Sequence, residues 1–108
     1  MEWKIKYHPL AEEELSKLDG SVRKIVLKGI IKVSANPKSQ NEGGYGKPLG
    51  NKSNNNLSGL LKIKYRDIGI RVVYKLVEDE ETHEMYILVI SARADNEVYN
   101  LAGKKNNA

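Results

Sequence analysis

The sequence contains no cysteine and only two histidines, His8 and His83. Without cysteine there is no disulfide framework and no thiolate chemistry. With two histidines a multi-histidine metal centre is not expected, and nothing else in the chain implies a metal or a small-molecule cofactor. No apolar run approaches the roughly 20 residues of a membrane-spanning helix. The opening stretch MEWKIKYHPL lacks the pattern of a secretory signal, so a cytoplasmic location without a membrane partner is expected. There is no internal repeat. The glycine-rich GGYGKPLG fits neither a Walker loop nor a dinucleotide fingerprint, so a nucleotide cofactor is not expected either.

What is present fits one globular domain. A chain of 108 residues is long enough for one core but not for two. With 40% apolar and 30% charged residues it lies on the folded side of the composition range. The net charge is +4, and its distribution says more than its sum. Acids gather in AEEEL and VEDEETHE, bases in VRKIVLKGIIK and the opening stretch. Such segregation suits a polyanionic partner, and an ordinary solvated surface also produces it.

Periodicity orders the elements. WKIKYH alternates Trp3, Ile5 and Tyr7 with Lys4, Lys6 and His8, the pattern of a half-buried strand. Pro9 suits the first turn of a helix in which Leu10, Ala11, Leu15 and Leu18 share a side, with Gly20 closing the segment. Ser21 is placed to cap a second helix, whose apolar stripe is Val22, Ile25, Val26, Gly29, Ile30 and Val33 and which Pro37 ends. Arg23, Lys24, Lys28 and Lys32 fall outside that stripe, the last three stacked at i, i+4 and i+8. A phosphate-rich partner and simple solubility explain this basic row equally well. The segment 36–59, rich in Gly, Asn, Ser and Pro, reads as a long loop.

Three strands follow, in GLLKIKYR, GIRVVYKLV and EMYILVISA, the last apolar throughout as befits a central strand. DEET is the turn between the second and third of them. A short helix is expected near the C-terminus, and 104–108 form a polar tail behind a domain spanning 1–103. The fold class is α+β: two helices on one face of a mainly antiparallel four-stranded sheet, in the order β-α-α-β-β-β.

The stretch LSGLLKIKYRDIGIRVVYKL carries the functional signal. If Asp67 and Ile68 form a two-residue loop, paired numbers sum to 135, which sets Lys64 opposite Arg71 and Lys62 opposite Val73; Gly69 leaves room for a different loop, such as one with a bulge, that would shift the register. Leu61, Ile63, Val72 and Tyr74 then share the other face and can receive the helices. Like charges directly opposite in a sheet are destabilising, by up to about 1 kcal/mol. A bound phosphate would offset that cost, since lysine and arginine grip it with charge-assisted hydrogen bonds. Long side chains splayed into solvent would also reduce it.

LLKIKYRDIGIRVVYKL followed by LVISARADNEVY resembles the RelE branch of the RelE/ParE toxin superfamily of bacterial type II toxin–antitoxin systems. The opening strand with AEEELSKL, the VRKIVLK helix, its closing proline and KPL in the loop extend the resemblance over nearly the whole chain. It implies a microbial-RNase-like domain that enters the ribosomal A site and cuts mRNA by 2′-hydroxyl attack, held in check by a cognate antitoxin protein. The implied site is Lys62, Lys64, Arg71, Arg93 and Tyr99; from their charge, Arg23, Lys24, Lys28, Lys32 and Arg66 are added as candidate contacts to RNA or ribosome. The connection from VIS to Arg93 is shorter than in the family, and the Asn-rich segment before Leu57 looks expanded.

Such a site works without histidine. A lysine crowded by other cations gives up its proton more readily and can act as a base. The resemblance assigns that role to Lys64, with Lys62 supporting it and holding phosphate. Arg71 would stabilise the transition-state charge, Arg93 would support the leaving group, and Tyr99 would stack on a base. The alternative within the superfamily is a non-nucleolytic, gyrase-inhibiting toxin of the ParE type, which generally lacks this residue set.

Overall fold

The computed structural model describes residues 3–49, 59–92 and 101–105. The first strand, β1 (Lys4–Tyr7), runs into helix α1 (Pro9–Ser16). His8 makes the joint: its extended backbone precedes Pro9, and its Nδ1 accepts a hydrogen bond from Leu10 N at 3.1 Å, so the ring caps the helix. Helix α2 (Gly20–Ser34) is capped by Asp19 and not by Ser21 as expected. The Asp19 carboxylate accepts from Ser21 N at 3.3 Å and from Ser21 Oγ at 2.6 Å, which leaves Gly20 to open α2 and not to close α1.

The sheet has five strands where four are expected: β1, β2 (Lys47–Pro48), β3 (Leu60–Tyr65), β4 (Ile70–Glu78) and β5 (His83–Ser91), in the order β1-β5-β4-β3-β2. It is mixed, because β1 runs parallel to β5 while the other pairs are antiparallel. The extra strand lies within the segment read as loop. Two residues pairing through Lys47↔Lys62 and Pro48↔Leu61 leave little periodic signal, and proline is tolerated there because β2 is an edge. The expected register of β3 with β4 holds from Leu60↔Lys75 to Tyr65↔Ile70. The turn, however, spans four residues, Arg66 to Gly69, and Gly69 takes φ +66°. DEET forms the β4–β5 turn, with the Asp79 carboxylate accepting from Glu81 N at 2.8 Å and Thr82 N at 2.7 Å.

The inner face of the sheet carries the main core. Leu61, Ile70, Val72, Tyr74, Met85, Ile87 and Ile90 meet Ala11 of α1 and Val26, Ile30 and Val33 of α2. Leu10 and Ile25, expected among the buried positions, are exposed. Two tyrosine hydroxyls tie helix to sheet: Tyr65 donates to Val26 O and Tyr74 to Pro37 O, both at 2.7 Å. Burial pushes both phenol pKa values well up, so each hydroxyl stays a donor.

The outer face is covered in part by the C-terminal helix, which includes 101–105. Leu49, Leu60, Val73, Leu88, Val89 and Ala102 pack there. Leu88 reaches this face because the β4–β5 register slips: Val73 faces Val89 and Tyr74 faces Ile87, leaving Leu88 as a bulge. Beyond His8, whose N–H donates to Ile87 O at 2.8 Å, no strand among the described residues lies on the β1 side of β5. Side chains serve it instead. Glu14 Oε1 accepts from Ile90 N at 3.1 Å and from Lys105 Nζ at 3.2 Å, and Lys105 Nζ also donates to Leu88 O at 2.9 Å. Lys104 and Lys105 therefore lie in the helix and not in the expected polar tail, and the Lys105 side chain is 8% exposed.

Candidate functional site

The outer face of β3 and β4 holds the cations. In β3, Leu61 and Ile63 point to the core, so Lys62 and Lys64 point away from it. The ladder places Lys64 beside Arg71 and Arg71 beside Ser91 of β5. Lys62 lies beside Val73 on one flank and Lys47 of β2 on the other. Four cations thus occupy three neighbouring strands, and facing side chains start only about 4.5–5.5 Å apart. Lys62 and Arg71 are partly buried, while Lys47 and Lys64 are exposed. The floor beside them is apolar, formed by Leu60, Val73 and Val89, with Ala102 of the C-terminal helix packed on it. Cations anchored on a rigid sheet next to an apolar floor suit phosphate binding and the stabilisation of charge that develops during reaction.

The expected site residues divide into groups. The structure brings Lys62, Lys64 and Arg71 together on this face. Arg93 and Tyr99 lie outside the described residues. Arg66 is exposed in the β3–β4 turn. Lys24, Lys28 and Lys32 are exposed on α2, whose opposite side packs on the inner face of the sheet, so their row belongs to a separate surface. Arg23 is engaged within the fold. Its guanidinium donates to Leu15 O at 3.2 Å and to Ser16 O and Leu18 O at 2.8 Å, closing the C-terminal end of α1 against α2. Lys75 also lies apart, with its Nζ 5.6 Å from the centre of the Tyr86 ring.

The histidines take no place on the cationic face. His8 is the α1 cap. His83 opens β5 with its Nε2 3.1 Å from Glu78 Oε2 and its ring edge-on to Trp3 at 5.0 Å. Lys47 is the cation that the sequence reading missed. Its one signal was the alternation Tyr45, Lys47, Leu49, masked by Gly46 and Pro48 between them.

No protein-family model matches the chain, and no curated protein matches it. Solved structures do. An arginine-substituted mutant of the E. coli toxin RelE in the free state superposes with a TM-score of 0.71 at 25% identity, over 97% of this chain and 98% of that one. The intact E. coli RelBE toxin–antitoxin complex matches at 0.65 and 22% identity, over 85% and 98%. The RelBE2 toxin–antitoxin complex of Mycobacterium tuberculosis matches at 0.64 and 24% identity, over 88% and 95%. These likenesses agree with the resemblance read from the residues: the chain has the fold of the RelE-like toxins.

Proposed function

We propose that this RelE-like chain is the toxin of a type II toxin–antitoxin system and that it cleaves mRNA in the ribosomal A site. The observation that carries the reading is the convergence of Lys62, Lys64 and Arg71 on one sheet face, at the positions the catalytic branch of the family uses. The solved toxins and toxin–antitoxin complexes that share the fold support the toxin assignment and a cognate antitoxin as partner. The ribosome and its mRNA enter through the family resemblance and the cationic face.

The chemistry is phosphoryl transfer to the neighbouring 2′-hydroxyl. Lys64 takes the hydroxyl proton, and the 2′-oxygen forms a bond to phosphorus. Lys62 and Arg71 hold the non-bridging oxygens as negative charge builds there. The bond to the 5′-oxygen breaks, and that oxygen takes a proton from Arg93, or from water while Arg93 supports its charge. Arg93 at the leaving group and Tyr99 on a base complete the scheme. The antitoxin would present an acidic or amphipathic helix to the basic surface or to the seat of the C-terminal helix.

Induced expression followed by mapping of mRNA 5′ ends tests the reading. Cuts are expected within codons of translated messages, reduced roughly 100-fold or more in Arg71→Ala and Lys64→Ala. Undiminished toxicity in both variants would sink the mechanism. A DNA-damage response with intact mRNA would favour the gyrase-inhibiting alternative.

A further inference from the structure

The tyrosines of this chain are mostly taken up by packing: Tyr74 is fully buried, and Tyr7, Tyr65 and Tyr86 are partly so. Tyr45 is different, with 52% of its surface exposed. Its backbone is nonetheless held firmly. Tyr45 N donates to Asn36 O at 2.9 Å, Gly46 N to Lys38 O at 2.9 Å, and Gln40 N to Gly46 O at 2.7 Å. Gly44 lies against the Lys38 carbonyl and Gly46 against the Tyr74 hydroxyl, each too close for a side chain. Such a backbone presents the ring with little ordering left to do on binding.

Alternation fixes the direction in which this segment faces. Gly46 meets Tyr74 and Leu61 of the inner face, and Leu49 packs in the outer-face cluster. Between them Lys47 pairs with Lys62, which is also on the outer face. Tyr45, two residues before Lys47, lies in the bend that leads into β2. An exposed ring is thus held two residues from Lys47, where the chain enters the β2 edge of the sheet that carries Lys62 on the neighbouring strand.

We infer that Tyr45 and Lys47 form a nucleotide subsite at the β2 edge of the cationic face, where a base of single-stranded RNA stacks on the ring and an adjoining phosphate pairs with the ammonium. Single strands are gripped in this way, by aromatic platforms beside a basic track. The inference rests on the reading of this face as an RNA-binding surface and extends its substrate path beyond the scissile phosphate.

The test uses fluorescence anisotropy of the full chain with a labelled, uncleavable 2′-O-methyl hexaribonucleotide across a salt series. Tyr45→Ala should weaken binding roughly 5- to 150-fold, while Tyr45→Phe, which keeps the ring, should stay within about twofold of wild type. Lys47→Gln should flatten the slope of log affinity against log salt by about 0.7. Melting curves matching the wild type confirm that the variants fold. The inference is overturned if the wild type does not bind, if Tyr45→Ala binds as the wild type does, or if Tyr45→Phe loses as much as Tyr45→Ala. It is also overturned if both substitutions spare RNA but weaken binding to an acidic peptide, which would assign the pair to a protein partner. Wild-type binding with the expected losses, but without cleavage of translated mRNA, would refute the proposed reaction and leave the subsite standing.

Discussion

Gly29 offers the sharpest check on the packing that sets the cationic strand in place. It sits inside α2, where alanine is normally better than glycine by about 1 kcal/mol. Here a methyl group would overlap the ring and hydroxyl of Tyr65, the residue next to Lys64 in β3. The ring would have to move aside. Losing its hydrogen bond to Val26 O costs about 1 kcal/mol, and displacing an overpacked side chain costs roughly 1–3 kcal/mol. Set against the propensity gain, Gly29→Ala should destabilise the protein by about 1–3 kcal/mol. At about 4–8 °C per kcal/mol for a domain of this size, the melting point should drop visibly. The decisive step is the same substitution in a Tyr65→Leu background. With the ring gone, alanine should raise stability by up to about 1 kcal/mol relative to that background. Urea unfolding followed by circular dichroism measures all four proteins. If Gly29→Ala is neutral or stabilising with Tyr65 present, or if its sign does not reverse without it, the reasoning fails.

Three further outcomes can be checked. Lys105→Met should cost about 1–3 kcal/mol in urea unfolding, between the values for surface and buried pairs, because Lys105 and Glu14 are 8% and 27% exposed; a loss under about 0.5 kcal/mol would show that the clasp does not hold the C-terminal helix. Hydrogen bonds to the Asp19 carboxylate from the Ser21 side chain and backbone, and to Asp79 from Glu81 and Thr82 N–H, hold both carboxyls below the ordinary value of 3.8. Their stabilisation should therefore be present above about pH 4 and be lost as pH falls through the lower folded values. Asp19→Asn and Asp79→Asn should each flatten the acid limb of stability against pH, and an unchanged limb in both would contradict the assignment.

The β3–β4 pairing was readable because its apolar residues alternate over two full strands, and a slip of one residue would have exposed them all. The outer-face cations Lys62, Lys64 and Arg71 were readable for the same reason, since the face they occupy is simply the one the core does not use. The ends of elements were less legible. Asp19 and Ser21 both carry capping oxygens, and which one caps depends on where the chain leaves α1. Arg23 looked like part of a basic row until the packing of α2 on α1 gave its guanidinium three carbonyls. Ile25 satisfied the spacing of the apolar stripe, yet it stays exposed among the described residues while Val26, Ile30 and Val33 are buried.

Sequence alone determined the order of the main elements, the inner face of the sheet and the trio Lys62, Lys64 and Arg71. These follow from local periodicity, which each strand and helix carries within itself. Tertiary structure alone decided that β1 lies parallel to β5, that β2 exists and adds Lys47 to the face, and that Lys105 is drawn from the tail into a clasp with Glu14. Each of these joins residues far apart in the chain, where no period links them. They are decided by which backbone groups at an open sheet edge still need a partner once the core has closed.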